Sequence, residues 1–346
     1  MSRKARGFTI LELLLVVAII ALLAGLVLPA MSRARESGRT LACLAHLKEF
    51  GSAWQMYADE NEEVFVPARM PKKDENKSNK DNWYEVGNGL KYLPRWPAVL
   101  GAKLGIHAFD RPTPETEDIL DRQDYAAELY QCPAEPSWID ERNYAYGYNY
   151  QFLGNARLTN NLFHNFPIKR HRVSAPGGTV VFADSMGTAA GRIASARGGY
   201  RNDEKEGPGQ GHRGDHGYTL DPPRLTTESD RGTGDPESLR TAVDPRHQGK
   251  VNALFADLHG DTVTDRDLGY RTNRRGRYVD LDPNEEDGDA AGTVGMIVGF
   301  GRRDGQPRTK QKPVEPGRIE DAATNFMFSG NARDEDPPAV PKLTGQ

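Results

Sequence analysis

The sequence predicts an α+β chain: a long N-terminal helix, membrane-spanning in its first half and amphipathic in its second, packed on a small antiparallel β-sheet head with long loops. Three observations lead there. Phe8 to Ala30 is an apolar run whose strongly polar members are Thr9 and Glu12. Leu41, Leu44, Leu47, Phe50, Trp54 and Tyr57 then recur every three or four residues, the period of a helix with one face to bury. After them come short β-branched and aromatic runs between turn residues.

As a helix, 8–30 would span roughly 35 Å at about 1.5 Å per residue, enough for a bilayer. Arg3, Lys4 and Arg6 precede it, so the positive-inside rule places the N-terminus in the cytoplasm and the rest outside. A cleaved secretory signal would have a shorter apolar core, about 7–15 residues, and a small-residue cleavage site after it. A plain uncleaved anchor would require nothing particular at Gly7, Phe8 or Glu12. The carboxylate of Glu12 is the anomaly, since charge near a bilayer core costs about 2.5–3.5 kcal/mol on insertion scales. Pro29, lacking an N–H, predicts a kink near the end of the span, with a second interruption near Gly38.

The amphipathic stretch 31–58 continues the helix, and its leucine and aromatic stripe reads as core. Strands are expected at Tyr125 to Pro133, Tyr144 to Leu153, Gly178 to Ser185 and Lys250 to Asp257. The last pairs with "TVTD" in a hairpin whose loop contains Gly260. The stretches 70–82 and 186–245 are polar and rich in charge or glycine, and read as surface insertions in a head spanning 59–269. The polar extension 270–346 has one apolar patch at 292–301, a candidate docking strand, and residues 302–346 have little to bury.

Composition narrows the function. The 346 residues carry a formal charge of −4, against a nucleic-acid partner, which calls for a basic surface. Mean hydropathy is −0.68 despite the apolar run, so the remainder is polar and loop-rich, in keeping with 36 glycines and 23 prolines. No nucleophile elbow, phosphate loop or zincin pattern is present, so no enzyme is expected.

Gly7-Phe8-Thr9-Ile10-Leu11-Glu12, after a basic leader and before an apolar helix, resembles the prepilin signature of type IV pilins and type II secretion pseudopilins. The resemblance implies a pilin-like fold, a leader of residues 1–7, cleavage between Gly7 and Phe8 by a prepilin peptidase, and N-methylation of Phe8. It also gives Glu12 a purpose. The freed α-amino group of a neighbouring subunit can pair with that carboxylate, relieving its desolvation and fixing the axial register of packed helices. The implied partners are the peptidase, other pilin or pseudopilin subunits, an assembly platform and membrane lipid. The implied location is the bacterial inner membrane, single-pass with a periplasmic head, and then a fibre.

A second resemblance lies in the head. "RHQGKVNALFADLHGDTV" is similar to the terminal motif of a bacterial prepilin-like subgroup: histidine, nine residues, then Asp-Gly. His247 and Asp257 match, His259 follows, and Leu258 stands where the glycine belongs, which puts an Asp-Gly type I′ turn in question. Asp257 and His259 share a strand face and, with His247, could hold a divalent metal, although a hydrogen-bonded structural pair is the preferred reading. His212 and His216 lie four apart among glycines that oppose a helix. Asp280, Asp282, Asn284 and Asp287 resemble the start of a calcium loop, with Glu285 in place of its glycine and Ala291 in place of its last glutamate. No cofactor is required, and calcium is the one candidate.

Cys43 and Cys132 both lie on the side predicted to be exported. Either they form a disulfide or Cys43 is a buried thiol on the helix face. Two functions remain: a fibre subunit, or a membrane-tethered binding or hydrolytic head that uses the helix only as an anchor.

Overall fold

The structure, a computed structural model, describes residues 10–73, 79–109, 112, 127–134, 145–154, 156–159, 162–165, 167–191, 217–223, 241–272, 278–279 and 327–329. One helix, α1, runs from Ile10 to Glu60 and passes through Pro29 and Gly38 without interruption. The expected interruptions of the helix at these two places do not occur. Pro29 withholds one hydrogen bond, from the carbonyl of Gly25, and a 51-residue helix retains its ladder on either side.

The head is organised on an antiparallel sheet of four strands, β3 (Tyr146–Tyr148), β6 (Val180–Asp184), β7 (Val251–Phe255) and β8 (Gly260–Val263), in the order β3–β6–β7–β8. Three small hairpins accompany it: β1 (Trp83–Glu85) with β2 (Leu90–Tyr92), β4 (Ala156–Thr159) with β5 (Leu162–Asn165), and β9 (Arg271–Thr272) with β10 (Tyr278–Val279). A short helix, α2 (Trp96–Lys103), has Pro97 in its first turn, where a missing N–H is harmless.

Strands β6 and β7 are buried along their whole length, because both sheet faces are covered. On one face lies the second half of α1. Phe50 meets Trp96 edge-on at 5.1 Å between ring centroids, Trp96 lies 4.6 Å from Phe182, and Trp54 stacks on Phe65 at 3.9 Å. The backbone of α1 approaches the sheet at Gly51, where a Cβ would come within 2.4 Å of the Leu254 side chain. A register shift between Val180 and Phe182 sends Phe182 to the helix face, while Val180 and Ala183 pack on the opposite one. That opposite face is covered by Leu220, Val243, Leu268, Tyr270 and Phe328.

Several expectations are corrected here. Of the strand expected at Tyr125 to Pro133, the described residues 127–133 form none: Glu128–Tyr130 is a 3-10 turn that delivers Leu129, Tyr130 and Cys132 to the core. In Tyr144 to Leu153 the strand ends at Tyr148, and Tyr150–Gly154 is a π-helical turn. Gly260 is the first residue of β8 rather than part of the loop before it. The insertion 186–245 is not wholly surface, since Tyr218, Leu220, Asp221 and Thr241 are buried. Nor does the head stop at residue 269. Tyr270 is buried, and Phe328, 0% exposed, sits edge-on to it while its carbonyl accepts a hydrogen bond from Asn149 Nδ2 at 2.9 Å. The patch at 292–301 lies outside the described residues.

Candidate functional site

Two parts of α1 carry the chemistry. The first is the apolar run from Ile10 to Met31, whose large side chains are all exposed. Among the described residues this is the one helix long and apolar enough to cross a membrane, and none of its apolar window is buried by the head. Glu12 lies in its first described turn, exposed among leucines and isoleucines. Gly7 and Phe8 lie outside the described residues. A helix with apolar side chains all round and no protein against it has found neither of the two environments that bury such a surface, lipid or other helices.

The second part begins at Thr40, where α1 meets the head. Cys43 and Cys132 form a disulfide with Cα atoms 5.2 Å apart, closing a loop of 89 residues and tying the helix to the 3-10 turn. Beside it lies a polar cluster inside the core. His247 Nε2 is 3.2 Å from Asp184 Oδ2 and 3.6 Å from Cys132 Sγ. His247 Nδ1 is 3.2 Å from Thr40 Oγ1, whose own hydrogen goes to the Glu36 carbonyl. Asp184 Oδ2 accepts the backbone N–H of Asn252 at 2.7 Å, and Asn252 Nδ2 donates to the Thr40 carbonyl at 2.9 Å. Thr262 Oγ1 donates to Asn252 Oδ1 at 2.7 Å. The cluster thus joins α1, β6, β7 and β8 through polar groups, with His247, Asp184 and Asn252 buried and Thr40 and Thr262 half-buried at its edges.

The cluster divides the histidine–aspartate motif. His247 closes a tight turn in which it exchanges two backbone hydrogen bonds with Lys250, with Gln248 and Gly249 both at positive φ. That is the pattern of a type I′ turn. Asp257 and His259 are exposed at the other end of β7, with His259 Nδ1 2.6 Å from Asp257 Oδ1 and the imidazole stacked on Phe255. Burial pushes the Asp257 carboxyl up, but hydrogen bonds from the His259 side chain and backbone outweigh it and hold it below its usual range. The three residues therefore do not converge on one ion. The buried partner of His247 is Asp184, the last residue of β6 in the stretch Gly178 to Ser185 that the sequence marks as a strand. Its one signal was an acid closing an otherwise apolar strand.

The loop after β7 is not a type I′ turn, the geometry that Leu258 in place of glycine puts in question. The Phe255 carbonyl accepts from Leu258 N–H at 2.9 Å, and the His259 carbonyl from Phe255 N–H at 2.9 Å. Leu258 has φ 69°, so it occupies the left-handed position that ends a three-residue hairpin loop and that glycine fills without strain. Its side chain packs on the helix backbone at Gly51.

At the far end of α1 an exposed clamp closes onto the segment before β6. Arg170 reaches Asp59 at 2.7 Å and Glu63 at 3.4 Å, and His171 Nδ1 lies 3.1 Å from Glu63. Hydrogen bonds from His171, then Arg170, hold the Glu63 carboxyl below its ordinary value. His212, His216, Asp280, Asp282, Asn284 and Asp287 lie outside the described residues.

The model of the prokaryotic N-terminal methylation motif matches residues 2–28. The type IV wide pilus major component PilA4 of Thermus thermophilus is 39% identical over 59 residues, 17% of this chain. The chain spans 45% of that relative's length. No solved structure matches it.

Proposed function

We propose that this type IV prepilin-like chain is a structural subunit that waits in the inner membrane and is then assembled into a pilus or pseudopilus. The observation that carries the reading is the exposed apolar half of α1 with Glu12 near its start, next to a leader that matches the methylation motif. A prepilin peptidase cuts Gly7–Phe8 and Phe8 is N-methylated. The new terminus is a cation able to pair with Glu12 of a neighbour when helices bundle, where the carboxylate is otherwise poorly solvated. Loss of Arg3, Lys4 and Arg6 leaves the mature chain more acidic than the −4 of the whole sequence. The head faces the periplasm, as the basic leader directs.

The role is structural rather than catalytic. The cluster on which a hydrolytic head would have relied is divided between the two ends of β7. Intact mass and N-terminal sequencing of the protein from its native membrane test the pathway. A chain beginning at methylated Phe8 is expected, whereas one beginning at Met1 or Ser2 would leave only an anchor. Glu12→Ala is then expected to abolish incorporation into fibres while the head keeps its thermal midpoint. Normal incorporation of that variant would remove Glu12 from assembly. Co-purification of the tagged subunit with the fibres of one machine would distinguish type II secretion from a type IV pilus.

A further inference from the structure

The disulfide shares its pocket with two good metal ligands. Cys43 Sγ, Cys132 Sγ and His247 Nε2 lie within 4.8 Å of one another. The Asp184 carboxylate is 3.2 Å from the same Nε2, and its Oδ1 is buried with no hydrogen-bond partner. Relative exposures are 0% for Cys43, 1% for Cys132, 0% for Asp184 and 2% for His247.

We propose that reduction of Cys43–Cys132 turns this cluster into a buried site for one thiophilic divalent cation of the zinc type. The two thiolates, His247 Nε2 and the Asp184 carboxylate would be its ligands. The step balances with a dithiol reductant. The reductant gives two electrons and two protons, the S–S bond breaks, two S–H groups form, and the reductant becomes a disulfide. The cation then displaces both thiol protons as two metal–sulfur bonds form.

The geometry suits such an ion. Zinc–sulfur bonds near 2.3 Å and zinc–nitrogen bonds near 2.0–2.1 Å put ligand atoms roughly 3.5 Å apart in a tetrahedron. Cys132 Sγ and His247 Nε2 already stand 3.6 Å apart. Cα atoms 5.2 Å apart allow the sulfurs to separate by side-chain rotation. The outer partners are in place as well. Because the Thr40 hydroxyl gives its hydrogen to Glu36, it is set to accept Nδ1–H of His247, which leaves the lone pair on Nε2. The Asn252 N–H steadies Asp184. The tie between α1 and the head would then exist in two forms, covalent when oxidised and metal-bridged when reduced.

The full chain in detergent, reduced with dithiothreitol and freed of it by anaerobic gel filtration, is titrated with Co2+ alone. The expected result is one equivalent bound, with thiolate-to-cobalt absorption and the intense d–d bands of a tetrahedral site, displaced by equimolar Zn2+. The oxidised chain should show neither band. Cys132→Ser should weaken the thiolate absorption, and His247→Gln and Asp184→Asn should each lower affinity by about tenfold or more. Should the reduced chain lose its near-ultraviolet circular dichroism, one equivalent of metal is expected to restore it. Absence of the bands in the reduced chain, failure of metal to restore a lost fold, or unchanged affinity in His247→Gln would each overturn the proposal.

Discussion

The two halves of α1 share one backbone and differ in what surrounds them. From Ile10 to Met31 every large side chain is exposed, whatever side of the helix it occupies. From Cys43 to Ala58 the helix buries Cys43, Leu47, Phe50, Gly51, Ala53, Trp54 and Ala58, a stripe at three- and four-residue spacing. The first half has only its own hydrogen bonds and must draw stability from lipid or sister helices, and the second draws it from a packed core. A substitution in one half should therefore be silent in the readout of the other.

The largest effect expected in the head half is loss of the disulfide. Cys43→Ser opens a loop of 89 residues. The chain-entropy relation for such a loop gives about 4–5 kcal/mol lost, measured as the urea midpoint of the oxidised full chain in detergent. Membrane extraction should be unchanged. A loss below about 1 kcal/mol would mean that the denatured chain retains the helix–turn contact and that the tie adds little.

Next is Trp54→Ala, expected to cost about 3–5 kcal/mol by leaving a cavity beside Phe65 and freeing the Tyr148 hydroxyl to which Trp54 Nε1 donates at 3.2 Å. Its counterpart in the anchor half is Leu22→Ala, at a residue 66% exposed, which should leave the head within about 0.5 kcal/mol of wild type. If Leu22→Ala destabilised the head comparably, the two halves would be mechanically coupled and the division drawn above would fail.

Leu258→Gly probes the place where the hairpin loop meets Gly51. Glycine removes a left-handed penalty of about 1–2 kcal/mol, and it also removes a half-buried leucine worth a fraction of the roughly 1.5–3 kcal/mol of full burial. The two nearly cancel, so the midpoint should move by less than about 1 kcal/mol. A loss above 2 kcal/mol would show that packing on the helix, rather than the turn, decides this position.

How much of this was legible depends on the range of the signal. The helix, the sheet-forming runs "VVFAD" and "KVNALF", and the hairpin after β7 follow from periods of 3.6 and 2, which are local properties. The turn at Glu128–Tyr130 was misread because Tyr125, Leu129 and Tyr130 have strand-like composition, while the backbone is turned by the need to bring Cys132 against α1. Helix α2 has eight residues, too few for periodicity to speak, although Pro97 after Trp96 was an available start signal. The convergence of His247 with Asp257 and His259 on one ion fails for a geometric reason, while Asp257 and His259 do form a hydrogen-bonded pair. Along a strand each residue advances about 3.3 Å, so nine intervening residues set the two groups at opposite ends of β7. Asp184, the true partner, comes from a neighbouring strand, and register between strands is not written in either one alone.

The smallest expected effect lies where the head half ends. Glu63 is held below its ordinary value of 4.5, first by His171 and then by Arg170. A carboxyl depressed on folding contributes stability above its unfolded value, and that contribution is lost as pH falls through the lower folded one. The clamp is therefore present at neutral pH and fades below the carboxylate range, near pH 4 and under. Glu63→Gln should reduce stability slightly at pH 7 and make no difference at pH 3, compared by urea midpoint at each pH. Because the group is exposed, salt should shrink the pH 7 difference further. A deficit that persisted at pH 3 would instead assign the effect to a contact of the neutral carboxyl that the amide does not reproduce, and would remove charge as its cause.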